Sequence, residues 1–185
     1  MKRIVPRETA LLVVDVQEKL APAMPEAQMA ALTRATTVLL EAARLLGVSV
    51  IATEQYPKGL GPTVAPIKAK LEEVGAPILT KMEFSACDAA AFEQLWDKQW
   101  RPNVIVVGME THVCVFQTVR ELRARDVSVF VPVDGVASRR EDHRVVGLDL
   151  CRAAGATITT METVVFDMLR VAGTEPFRQL SKLIR

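Results

Sequence analysis

The sequence predicts an α/β protein, a three-layer α/β/α sandwich built on a six-stranded parallel sheet. Three observations carry that expectation. Short runs rich in Val, Ile and Thr alternate with longer stretches of helical apolar spacing, the pattern of βαβ units. The chain has 185 residues and no linker-like stretch, so residues 1–185 read as a single domain with a sizeable core. Half of the residues are hydrophobic and 24% are charged, the balance of an ordinary globular protein.

The elements follow in order. Thr9 to Val16 (TALLVVDV) reads as a buried strand, and Glu26 to Leu46 as a helix stopped by Gly47. Val48 to Thr53 (VSVIAT) is the second strand. Glu54 to Pro66 holds Pro57, Gly59, Gly61, Pro62 and Pro66, which predicts an ordered loop without regular structure, a functional lid or an interface segment. A short helix over Ile67 to Val74 leads to a third strand near Pro77 to Thr80. Asp88 to Gln99 reads as a helix with Asp88 near its N-cap. Asn103 to Val107 (NVIVV) is the most hydrophobic strand, followed by Gly108 and a helix over His112 to Arg125. Val127 to Val133 is a strand, Glu141 to Ala154 a helix and Ala156 to Thr159 the last strand. Helices near Glu162 to Leu169 and Glu175 to Ile184 close the chain. There is no internal repeat.

Composition excludes several function classes. Lys plus Arg is 23 and Asp plus Glu is 22, a net charge of +1 with no basic run, so nucleic acid is not an expected partner. The apolar stretch Ala10 to Val14 is far too short to span a bilayer. Met1-Lys2-Arg3 leads into a strand that ends on an Asp, not into a cleavable signal, and three cysteines suit a reducing compartment. The expectation is therefore cytoplasmic. Two histidines are too few for a multi-histidine metal cage, and no metal or cofactor is expected.

In an open parallel sheet, ligands bind beyond the carboxyl ends of the strands. Three reactive side chains fall there: Asp15 after the first strand, Lys81 after the third and Cys114 after the fourth. Cys114 follows Gly108-Met109-Glu110-Thr111-His112-Val113 and belongs to the first turn of a helix, where free amides and the helix dipole favour a thiolate and could hold an oxyanion. A carboxylate at Asp15 can take the thiol proton and return it to a leaving amine, while Lys81 orients the carboxylate and lowers the thiol pKa. Cys87 and Cys151 lack such an arrangement and read as structural. His112 reads as a wall or packing residue rather than the base.

These segments resemble a known family. VVDVQ around Asp15, TKMEFSA around Lys81 and VVGMETHVCV around Cys114 are similar to the three signature segments of the isochorismatase-like cysteine hydrolases, in order and at the right spacing. TEQYPKGLGPT and EPFRQLSKLIR resemble the isochorismatase-domain-containing group within it. The resemblance implies Asp15 as acid/base, Lys81 as its partner and Cys114 as nucleophile. It also implies a cis peptide between Met109 and Glu110, with the amides of Glu110 and Cys114 as oxyanion hole. It departs at Gln55-Tyr56-Pro57, where nicotinamidases of the superfamily carry an Asp-x-His metal pair, so a metal-assisted nicotinamidase is not expected. The substrate expected is a small molecule, and family likeness implies a homo-oligomer.

Other readings stay in view. Cys114 and Arg120 match the Cys-x5-Arg spacing of thiol phosphatases, but the residues between them read as helical and turn Arg120 away. A non-catalytic oligomeric binding or scaffold protein would keep the same fold. Gln17 and Gln55 are either polar pocket groups or partners for backbone at the strand ends. Tyr56 and Phe84 are candidate apolar pocket walls. Trp96 and Trp100 read as core or interface, and Asp134, with Arg139 and Arg140 following, as a turn cap or ion-pair member in preference to a group lining the site.

Overall fold

Both faces of the first strand are buried, and this sets the layers. In β1 (Thr9–Val14), Leu11 and Val13 pack into one apolar cluster, while Ala10, Leu12 and Val14 pack into another on the opposite face. The computed structural model describes residues 3–99 and 101–184; Met1, Lys2, Trp100 and Arg185 lie outside the described residues. The first cluster is covered by α1 (Glu26–Leu46), α3 (Ala65–Glu73), α7 (Met161–Leu169) and α8 (Glu175–Ile184) through residues such as Leu39, Ile67, Val164 and Leu180. The second is covered by α4 (Ala90–Gln99), α5 (Phe116–Ala124) and α6 (Glu141–Ala153) through Phe92, Val119 and Leu148.

The remaining strands are β2 (Ser49–Gln55), β3 (Ile78–Lys81), β4 (Asn103–Met109), β5 (Ser128–Pro132), β6 (Val136–Ala137) and β7 (Thr157–Thr159). They pair in parallel in the order β3-β2-β1-β4-β5-β7. The chain builds outward from β1 to β3, then returns to the other side of β1 with β4. The junction of β1 and β4 is therefore the switch point where ligands of such sheets bind. Gly108 makes that junction possible. It lies at φ +133°, and a Cβ there would sit 2.0 Å from the Val14 carbonyl oxygen.

Four expectations need correction. The sheet has a seventh strand, because the two-residue β6 pairs with the end of β4. Residues 54–66 are not without regular structure. Glu54 and Gln55 extend β2, and Pro57 and Pro66 open the short helix α2 (Pro57–Leu60) and α3, since a first-turn proline gives up no intrahelical bond. Asp88 closes a 3-10 turn (Ala86–Asp88) instead of capping α4; the Phe92 and Glu93 amides of α4 donate to the Ala89 carbonyl. The helix after β4 begins as a wide π turn (Thr111–Val115), in which the Val115 amide reaches back to the Glu110 carbonyl at 3.2 Å.

Among the described residues no helix is long and apolar enough to cross a membrane. Trp96 is buried and stacks on Phe92 at 5.5 Å, and Asp134 caps α7 by accepting from the Met161 amide at 2.8 Å.

Candidate active site

Asp15, Lys81 and Cys114 meet at the carboxyl end of the sheet. Asp15 ends β1 in the left-handed region at φ 51°, a conformation aspartate tolerates better than most residues, and its amide donates to the Thr53 carbonyl at 3.1 Å. Lys81, the last residue of β3, extends across β2, and its ammonium lies 2.6 Å from Asp15 Oδ2. Both side chains are buried, at 0% and 1% exposure. The ammonium also donates to the carbonyls of Glu83 and Phe84 at 2.9 and 3.1 Å. Thr53, on the intervening strand, donates its hydroxyl to Asp15 Oδ1 at 2.8 Å.

Cys114 sits in the π turn, its thiol buried beside Asp15 and Lys81, whose charges act on it in opposite directions. The expectation of a thiol depressed by Lys81 and the helix end is overturned. Burial, followed by the Asp15 charge, pushes the Cys114 thiol up to about 12, and Lys81 only partly offsets them. At rest the sulfur is therefore protonated. Cys87 and Cys151 are pushed to about 12 as well, chiefly by burial, but in neither is a carboxylate the next cause after it. What sets Cys114 apart is the Asp15 carboxylate beside it. Its carbonyl accepts from the Thr118 hydroxyl at 2.7 Å, and the same hydroxyl accepts from the Ala86 amide at 2.9 Å. One side chain thus ties the turn carrying the thiol to the strap that follows Lys81.

Glu110 joins Met109 through a cis peptide and opens the π turn. Its buried carboxylate accepts from the amide and Nε of Arg139, at 2.9 and 3.1 Å. His112 is half-buried against α6: its Nδ1 lies 3.1 Å from Ser138 Oγ and its ring 4.6 Å from His143. Burial draws its pKa down, so it is neutral near pH 7. Gln17 is fully buried and spent on backbone: its amide donates to the carbonyls of Gln55 and Gly61 and accepts from the Gln55 amide. It pins the end of β2 to the loop after it. Gln55 reaches toward the carbonyls of Met82 and Glu83 at 3.4 Å.

A cavity of about 650 Å³ opens beside this cluster, lined by Tyr56, Pro57, Thr80, Met82 and Ala90 among others. It shares Lys81 with the cluster, but neither Asp15 nor Cys114 lines it. Tyr56 stands on its wall, 48% exposed. Phe84 is 54% exposed, adjoins Lys81 through its carbonyl and is not part of that lining. Arg120 lies at the surface over the Phe116 ring and beside Glu121, so it does not join Cys114 in a phosphate-binding loop. Among the described residues no group of three His, Cys, Asp or Glu side chains is placed to hold a metal.

Thr53 and Thr118 were not singled out from the sequence. The available signal for Thr53 was its place at the end of the strand beside β1, and for Thr118 its place one helical turn after Cys114.

Comparison with known proteins follows from this geometry. The family described as Isochorismatase domain matches residues 9–163. The chain is 35% identical over 185 residues to the secreted isochorismatase effector Isc1 of Phytophthora sojae (strain P6497), covering 99% of this chain and 87% of that one. It is 33% identical over 183 residues to isochorismatase domain-containing protein 2A of Mus musculus, covering 99% and 85%. A solved structure described as the MAR1 ribonuclease from Caenorhabditis elegans superposes with a TM-score of 0.90 at 39% identity, covering 99% and 92%. The Escherichia coli YcaC gene product, described as an octameric hydrolase of unknown specificity, shares the fold with a TM-score of 0.90 at 23% identity, covering 100% and 90%.

Proposed function

The chain belongs to the isochorismatase domain family, and on that premise we propose that it is a cysteine hydrolase cleaving a C–N bond in a small amide, carbamoyl or related acyl compound. The observation that carries this reading is the burial of the Cys114 thiol beside the Asp15 carboxylate, which Lys81 holds at 2.6 Å. A buried thiol attacks only as its proton leaves, and in this reading Asp15 receives it.

In the proposed sequence, Asp15 takes the thiol proton while the sulfur adds to the carbonyl carbon. The developing oxyanion is held by the backbone amides of Glu110 and Cys114. Collapse expels the amine, which leaves with the proton that Asp15 carried, and the acyl group stays on sulfur as a thioester. Water then adds to the thioester, Asp15 takes its proton, and collapse releases the acid while the proton returns to sulfur. Lys81 holds the Asp15 carboxylate in place through their ion pair. Its three donors are occupied by protein oxygens, so its role is electrostatic and not contact with substrate. The scheme calls on no metal or cofactor. Following the octameric relative, the working form is further proposed to be a homo-oligomer.

The test is a screen of small amides, ureas and carbamoyl compounds read by ammonia or amine release, run beside Cys114→Ala and Asp15→Asn. Loss of about 10²-fold or more in both folded variants is the expected result. Because one relative is described as a ribonuclease, a short single-stranded RNA belongs in the same screen. RNA cleavage that needs Cys114, with every amide inert, would overturn the amide reading.

A further inference from the structure

From the two oxygens of the Asp15 carboxylate and their separate donors, we infer that Thr53 is a positioning residue that fixes the carboxylate plane against the Cys114 thiol. The inference rests on the proposed role of Asp15 as base.

A carboxylate turns about a broad, roughly two-fold terminal torsion, so one donor leaves it free to swing. Lys81 supplies one donor, on Oδ2 at 2.6 Å. The Thr53 hydroxyl supplies the second, on Oδ1 at 2.8 Å. With both oxygens held, the plane is set, and a lone pair on each oxygen remains for the thiol and for the leaving group.

The strand explains why Thr53 can do this. Val14 and Thr53 are register partners between β1 and β2, and the Thr53 carbonyl also accepts the Asp15 amide at 3.1 Å. One residue therefore holds both the backbone and the side chain of Asp15. Ile51 packs in the apolar cluster that contains Cys114, and by strand alternation Thr53 faces the same side. Ala52 and Glu54 face the other side, where Glu54 binds Thr63. Thr53 is 1% exposed in an otherwise apolar stretch, LLVV (Leu11 to Val14) on β1 facing VIAT (Val50 to Thr53) on β2. A buried hydroxyl is costly without a partner, and valine has nearly the same shape. The structure pairs this hydroxyl with the carboxylate.

The alkylation of Cys114 by iodoacetamide tests this without a known substrate, with adducts assigned by peptide mass spectrometry. If the proton goes to Asp15, the rate is level between about pH 6 and 9. If the thiolate must come from bulk titration near 12, the rate climbs about tenfold per pH unit. Wild type is expected to be level and Asp15→Asn to climb. Thr53→Val and Thr53→Ala, each checked for folding by thermal melting, are expected to climb and to react at least about tenfold more slowly at pH 7. Thr53→Ser should restore the level profile. A purely structural Thr53 would alter the melting temperature and leave the profile level. A level wild type with a level, near-native rate in Thr53→Val or Thr53→Ala overturns the Thr53 assignment alone. A climbing wild type overturns the base role of Asp15 first, and with it anything Thr53 positions. A folded Thr53→Ser that behaves like Thr53→Val also counts against it, because a hydroxyl is then not what matters.

Discussion

Lys81 donates to Asp15, to Glu83 and to Phe84, and no donor is left over. The ion pair is therefore a structural anchor as well as an electrostatic one. It joins the edge strand β3 to the central strand β1 and holds the strap after β3. Removing one partner of a buried pair leaves the other charged and unsolvated, which outweighs any apolar gain. Lys81→Met should therefore cost about 3–5 kcal/mol, a fall in Tm on the order of 10 °C for a chain of this size. Calorimetry decides it, and a Tm within a degree or two of wild type would show that Asp15 finds another donor. At this scale the sequence exposed the reactive types. Asp15, Lys81 and Cys114 are conspicuous because charges and a thiol at strand ends are unusual in an apolar sheet. Thr53 and Thr118 were not legible, since a threonine inside a β-branched run or a helix looks like any other. The thiol was misjudged for a related reason. The helix end and Lys81 can be read from order along the chain, whereas the burial that outweighs them appears only when the layers close.

The π turn shows what an element adds beyond its residues. Periodicity places a helix after β4, but a helix opening on a five-residue turn has no clear apolar signature. The prolines at 57 and 66 misled in the opposite direction, because the residue that breaks a helix interior is also favoured in its first turn. The strands were the most legible parts, since both of their faces are buried and their apolar runs are continuous. α6 holds the π turn from outside through Gly147, where a Cβ would come within 2.7 Å of the His112 amide nitrogen. Two effects oppose each other in Gly147→Ala. Alanine gains about 0.8–1 kcal/mol in helix propensity, while forcing backbone apart costs about 1–3 kcal/mol. The three nearest atoms are all backbone, so the clash should win. The expected outcome is a lower Tm together with slower iodoacetamide capture of Cys114, because the displaced turn carries the thiol. Raised stability with unchanged capture would mean that the helix and turn separate without consequence.

The whole molecule carries almost no net charge, +1, so repulsion between copies is weak and association depends on surface chemistry. The inward side of α6 is committed to the core through Leu148 and Cys151. Its outward side presents Val145, Val146 and Leu150 at 47%, 53% and 38% exposure, a run of apolar side chains on one helix. Scattered exposed apolar residues are ordinary, but a contiguous set on a regular helix is what interfaces use, and identical copies close most simply about a two-fold axis. With that axis perpendicular to α6, the two helices run antiparallel, which brings Arg152 near the end of one toward Glu141 and Asp142 at the start of the other. Sedimentation velocity at micromolar concentration should therefore give a species heavier than the 20.3 kDa chain. Replacing Val146 and Leu150 together by Glu should return it to that mass without unfolding, because neither side chain belongs to the core clusters. The folded double variant also isolates the contribution of assembly to the site. α6 backs the π turn directly, so if copies meet there, the monomeric variant should capture iodoacetamide at Cys114 more slowly than the oligomer. A wild type that sediments as a single chain would remove the interface from α6 and leave those three side chains as ordinary surface.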